Sequence, residues 1–195
     1  AGCTHEIKSY QAYLAFLANE KNGLLKKKSV AGLDMQVKYF PDEFLALGEI
    51  QKEGLALTES RLDSITQLYQ NQLTFLMTLG PEQGTSFDVT TVGVSDYQEF
   101  ARRIEELSFG MAVHLSLEVG GKQFKPQLTE MESLYGLRQS RDFMVVFPAL
   151  DESGKPVLTG DFHFVFSDDI FLTGIHKFRF RLSDIQHVPP LKIDL

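Results

Sequence analysis

Five histidines, one cysteine and a few clustered acids are the residues of this chain best equipped for chemistry, and their spacing decides which chemistry. His5, His114, His163, His176 and His187 are scattered, with no HExxH pair and no Cys beside them, so they form no recognisable zinc motif. His163 and His176 approach one another only if their strands make a hairpin with Asp168-Asp169 in its turn; histidines on strand faces and aspartates in turns are more often solvated than metal-bound. No Gly-x-Ser-x-Gly elbow occurs, and Cys3 is expected on a flexible segment that cannot hold a fixed geometry with a His, so a hydrolase has no visible nucleophile. Glu130 with Glu132, and Asp151 with Glu152, become a glycosidase pair only where a fold sets two carboxylates across a substrate. Gly120-Gly121-Lys122 has no second glycine at P-loop spacing and reads as a tight hairpin turn, not a phosphate cradle.

Two groups of cations stand out. Lys177, Arg179 and Arg181 alternate, so they share one strand face as a short basic stripe that could dock an acidic partner or a glycan. The other reading is an edge strand that uses positive charge to repel strand addition. Lys26-Lys27-Lys28 reads as a solvated loop, or as a patch held against anionic head groups at roughly 1 kcal/mol per charge.

The bulk composition narrows the function classes. A chain of 195 residues fits one domain, and 43% hydrophobic residues with 16 Phe are ample for a packed core. A net charge of −7 argues against general nucleic-acid binding, which calls for concentrated Lys and Arg. One Cys excludes an internal disulfide and a multi-Cys metal knot. No window approaches the roughly 20 apolar residues of a membrane-spanning helix. No cofactor and no metal are called for.

The elements that must position these residues follow from periodicity. Ile7, Tyr10, Tyr13, Leu14 and Leu17 predict an amphipathic helix over about residues 5–19, ended by Asn22-Gly23. Residues 35–40 alternate as a half-buried strand that Pro41 stops; Pro41-Asp42-Glu43 then opens a helix with Phe44, Leu45, Leu47 and Ile50 buried and Gly54 closing it. A third helix is expected over residues 60–70 and a buried strand over 73–79, ended by Gly80-Pro81. Ser95-Asp96 caps a fourth helix with Tyr97, Phe100, Ile104 and Leu107 on its apolar side. Thereafter the period falls to two, predicting strands at 114–119, 122–126, 143–147, 162–166 and 177–182. In the last two, Phe162, Phe164 and Phe166 share a face, as do Phe178, Phe180 and Leu182, so both faces should meet one core. Residues 151–156 read as a hairpin connection, and Leu134-Tyr135-Gly136-Leu137 as strand or turn. The expectation is an α+β fold, N-terminal helices packed on a mainly antiparallel C-terminal sheet or sandwich, in a single domain over residues 1–195 with 1–5 as a flexible tether.

The tether carries the most specific signal. Ala1-Gly2-Cys3 resembles the end of a lipobox, the Leu-Ala-Gly-Cys type of site that closes the signal peptide of bacterial lipoproteins. That resemblance implies that Cys3 becomes acylated and holds the protein on a membrane without a spanning helix, each buried methylene contributing about 0.8 kcal/mol. Thr4 after the Cys, in place of Asp, implies outer-membrane sorting by the pattern of Gram-negative lipoproteins. Residues 13–32 with Asn22-Gly23-Leu24, residues 37–47 with Tyr39-Phe40-Pro41, and Val188-Pro189-Pro190-Leu191 are similar to parts of uncharacterised lipoproteins of Bacteroidota. The implied function is a non-catalytic binding or assembly component of the cell envelope, with another envelope protein or a glycan as partner. A surface hydrolase acting on peptide or polysaccharide is the alternative.

Overall fold

The structure, a computed structural model, describes residues 7–132 and 138–192. Cys3 and the segment Leu134-Tyr135-Gly136-Leu137 lie outside the described residues. Ser9 caps the first helix, α1 (Tyr10–Ala18), its hydroxyl accepting from the Ala12 amide at 3.1 Å. Gly23 follows at φ +79°, a left-handed position where glycine escapes the Cβ clash. Two strands come next, β1 (Leu25–Val30) and β2 (Leu33–Phe40), then α2 (Asp42–Lys52), α3 (Glu59–Tyr69) and β3 (Gln72–Pro81). Asp96 caps α4 (Tyr97–Glu105), which continues through a π turn at Glu106–Gly110 into the short α5 (Met111–His114). The remainder comprises β4 (Leu115–Val119), β5 (Lys122–Phe124), β6 (Leu128–Met131), β7 (Arg141–Pro148), β8 (Phe162–Asp168), β9 (Gly174–Phe180) and α6 (Leu182–Gln186).

The fold is α+β with two antiparallel sheets, ordered β1-β2-β3-β7-β6 and β5-β4-β8-β9. Their Phe faces meet. Phe75 of β3 lies 6.2 Å from Phe162, 5.3 Å from Phe164 and 5.7 Å from Phe180 between ring centroids, and Phe147 of β7 lies 5.9 Å from Phe164. Aromatic pairs at these separations prefer tilted and edge-on geometry, and most here adopt it. At the edge of the first sheet, Phe44 of α2 stacks on Tyr10 of α1 and meets Phe40 of β2, so the early helices close one end of the same core.

Several sequence expectations are corrected. Lys26-Lys27-Lys28 is not a loop: it forms half of β1, and Lys26 and Lys28 turn inward with their ammonium groups 5.6 Å and 5.4 Å above the rings of Phe180 and Phe178. The apolar stems cover the open edge of the sandwich while the charges reach solvent or a ring face, so an apolar count misses the strand. The strands expected over residues 35–40 and 73–79 are β2 and β3, and β1 joins them to make up most of the first sheet. Tyr97, expected on the buried side of α4, is 82% exposed; Leu107 carries that burial from the π turn. His114 ends α5 and does not begin a strand, and Leu182 leaves the strand face to start α6.

Candidate functional site

Three places could hold chemistry or a partner: the basic stripe on β9, the turn joining β8 to β9, and a groove beside β5.

The stripe is an ordered network. β9 is an edge strand, and its outward cations each face a carboxylate: Lys177 Nζ lies 2.6 Å from Glu118 Oε2, Arg179 Nη2 2.9 Å from Asp161 Oδ2, and Arg181 Nε 3.0 Å from Asp184 Oδ2. Lys177 holds the Glu118 carboxyl below its ordinary range, and Arg179 does the same for Asp161. Solvent-exposed pairs of this kind contribute little stability, but they commit the cations to neighbours. The Lys27 ammonium likewise pairs with Glu20 at 2.9 Å.

The β8–β9 turn, expected to hold Asp168-Asp169, joins Asp168 and His176 through Thr173, which the sequence did not single out. Asp168, only 2% exposed, accepts from the amides of Ile170 at 3.0 Å, Phe171 at 2.8 Å and Thr173 at 3.0 Å, and from the Thr173 hydroxyl. That hydroxyl has one proton, which it gives to Asp168; it therefore accepts from His176 Nε2 at 2.8 Å. Burial pushes the His176 imidazole below its ordinary pKa, and its Nε2–H serves this donor role in the neutral ring. The clamp holds Leu172 at φ +61°, a left-handed conformation that costs a non-glycine residue about 1–2 kcal/mol. His163 and His176 do enter one hairpin, yet on opposite faces, because His163 aligns with Arg179 and His176 with Phe166; the two rings do not meet. Nearby, Arg103 ties the turn down by donating to the Val89, Val92 and Ile170 carbonyls and lying 4.9 Å over the Phe171 ring. His114 sits beneath, between the Ser167 carbonyl and Glu106, each at 3.2 Å. Among the described residues, no three His, Cys, Asp or Glu side chains are grouped to hold a metal ion.

A hydroxyl, an imidazole and a carboxylate thus stand together, but in an order that suits a turn. In a hydrolytic triad the imidazole accepts the hydroxyl proton. Here the carboxylate takes it, and three backbone amides fill the same carboxylate. The local signal is Asp168 itself, an acid at a turn that takes the amide two residues on, at Ile170; nothing local marks Thr173.

The groove has a volume of about 790 Å³, within the usual range of ligand clefts. Residues 122–125 and Gln127 form one wall; Pro148 and residues 150–153 form the other. The second wall is rigid, since Asp151 Oδ1 accepts from the Ser153 amide at 2.9 Å, its hydroxyl at 2.7 Å and the Lys155 amide at 3.0 Å. Phe124 and the exposed Leu150 supply apolar lining. Lys122 and Glu152, on opposite walls, form no ion pair with any described residue. The sequence offers Asp151 with Glu152 as an acidic pair and Lys122 as the end of a Gly-Gly turn, but nothing local joins the two into a groove; only strand order brings them together.

Elsewhere, Asp42 opens α2 with its carboxyl pushed up by burial to about 6, and Glu43 accepts from the Leu191 amide through both oxygens, at 3.1 and 3.0 Å. That acid fastens the C-terminal segment to α2. Among the described residues no helix is long and apolar enough to cross a membrane.

No protein-family model matches the chain, and no curated protein matches it in sequence. Two solved structures resemble it distantly. One, a DUF4426 family protein from Pseudomonas aeruginosa PAO1, is 12% identical with a TM-score of 0.36, over 87% of this chain and 98% of that one. The other, a novel protein of unknown function from Burkholderia pseudomallei K96243, is 11% identical with a TM-score of 0.37, over 92% of each chain.

Proposed function

We propose that the chain is a cell-envelope lipoprotein, held at the outer membrane by acyl chains on Cys3, that works there as a non-catalytic binding or assembly component. The groove beside β5 carries this reading: its edge strand, its apolar lining and its opposed charges on Lys122 and Glu152 are groups the fold leaves available to a partner. The acid–hydroxyl–imidazole cluster at Asp168, by contrast, is occupied in holding its own turn. The cations Lys177, Arg179 and Arg181 offer a second partner surface only if a ligand displaces Glu118, Asp161 and Asp184. The tether rests on the resemblance of Ala1-Gly2-Cys3 to a lipobox.

The tether is tested by expressing the full-length precursor in a Gram-negative bacterium and comparing it with Cys3→Ala. The native protein is expected to carry the added mass of three acyl chains and to enter the detergent phase, and Cys3→Ala to be unacylated and aqueous. A native protein of unmodified mass in the aqueous phase would remove the tether.

A further inference from the structure

We infer that the groove takes an extended peptide segment of a partner protein, which adds to the free edge of β5 as a further antiparallel or parallel strand. This deepens the reading of the groove as the partner site and rests on it.

Val119 aligns with Lys122 across Gly120-Gly121, both at positive φ, which is a two-residue hairpin. In such a hairpin the residues flanking the turn exchange both hydrogen bonds, and the pattern then alternates. Lys122 and Phe124 therefore point their amide and carbonyl groups at β4, while those of Gln123 point away from it. β5 ends its sheet, so nothing in that sheet receives the Gln123 amide and carbonyl; they face the groove. Unpaired strand edges are templates for another strand, normally blunted by an inward charge, a proline or a covering loop. β5 is short, with Lys122 on its core-facing side and Pro126 beyond its end, but the turn at residues 150–153 stands across a groove instead of closing on the edge, so the Gln123 groups stay open to a partner.

The side chains around the edge state what the added segment should be. An added strand lies about 4.8 Å from β5 and presents alternate residues to each side of the sheet. Along the groove it would meet Phe124 and Leu150, which calls for an apolar residue. Beside it, Lys122 calls for a carboxylate, and Glu152 on the far wall calls for a cation. At the other end of the edge, Lys125 donates to the Val113 carbonyl at 2.8 Å and to the Leu115 carbonyl at 3.2 Å, which closes that end and limits the added strand to the stretch beside Gln123. A glycan hydroxyl could bond either group singly, whereas an extended backbone presents a carbonyl and an amide at the spacing that pairs with both Gln123 groups at once.

The test uses the complete chain, a phage-displayed library of random dodecapeptides, and two variants of one residue. Gln123→Pro removes the outward amide and places a ring where the added strand must sit; edge strands tolerate proline at positions whose N–H faces outward, so β4–β5 pairing is kept. Gln123→Ala keeps the amide and loses only the side-chain bond to Glu118. Circular dichroism and thermal unfolding confirm that both variants are folded. Peptides selected on the native protein, resynthesised and labelled, are expected to bind Gln123→Ala within about twofold of native and Gln123→Pro at least about tenfold more weakly, a loss of about 1.4 kcal/mol. Amide exchange at Gln123 should slow when peptide is bound. Equal binding to Gln123→Pro, or no peptide enriched over the Gln123→Pro background, overturns strand addition. If purified envelope glycan then binds the groove, with Lys122→Glu weakening it, the binding role survives and only the peptide is wrong; if neither binds, the groove reading falls as well.

Discussion

Phe75→Ala is expected to lower the unfolding temperature by roughly 6–20 °C, the largest effect of any single truncation discussed. Phe75 is fully buried and touches rings from both sheets, with centroids 5.3 Å from Tyr39 and Phe164, 5.7 Å from Phe180, 5.9 Å from Phe147 and 6.2 Å from Phe162. Truncating a buried Phe costs about 3–5 kcal/mol, through lost transfer energy and the cavity left behind. For a domain of this size each kcal/mol moves the midpoint by about 2–4 °C. Strands on either side cannot collapse into the space without breaking the ladders of β3 with β2 and β7. Phe75→Leu, which leaves a smaller void, should lose markedly less. Thermal and urea unfolding of the three proteins measure this; a change below about 1 kcal/mol for Phe75→Ala would mean that the sheets do not share this core.

Asp168→Ala is expected to destabilise by about 2–4 kcal/mol, with the damage centred on the β8–β9 turn. The carboxylate satisfies three backbone amides and one hydroxyl in a site that is almost closed to water. Removing the acceptor leaves those donors unpaired, at about 1–3 kcal/mol for each that stays dry, and water can reach some of them once the turn loosens. It also frees Leu172, 83% exposed, from its left-handed conformation. Asp168→Asn keeps one acceptor oxygen and should fall between the two. Native-state amide exchange is the decisive measurement: the amides of Ile170, Phe171 and Thr173 should exchange far faster in Asp168→Ala, beyond the change at Phe75. Uniform acceleration across the protein would show that the acid supports global stability without clamping the turn.

The legible part of this fold was the part with strong local periodicity. The alternating Phe residues of β8 and β9 predicted their shared core face, and Asp96 its helix cap, because each signal sits within a few residues of its consequence. β1 was not legible, since its inward positions are Lys26 and Lys28 and a lysine folded over a ring satisfies a sheet edge without reading as apolar. The basic stripe was visible as a pattern, but its partners were not: Glu118 and Asp161 come from elsewhere in the sequence and become neighbours through strand pairing. The groove was the least accessible. The Gly-Gly turn was read correctly, yet whether β5 is a central or an edge strand depends on strand order, which no local pattern encodes.

The claim that this groove is where the protein meets its partner is tested most directly by site-specific photocrosslinking in intact cells. Benzoylphenylalanine replaces Leu150 in the groove or, as a control, Arg179 on the stripe, in the otherwise native chain and in the chain carrying Gln123→Pro. The account predicts a discrete protein adduct in the membrane fraction from position 150, its loss with Gln123→Pro, and no comparable adduct from position 179. An adduct from position 179 alone, or none from position 150 while the protein is folded and membrane-bound, would contradict it.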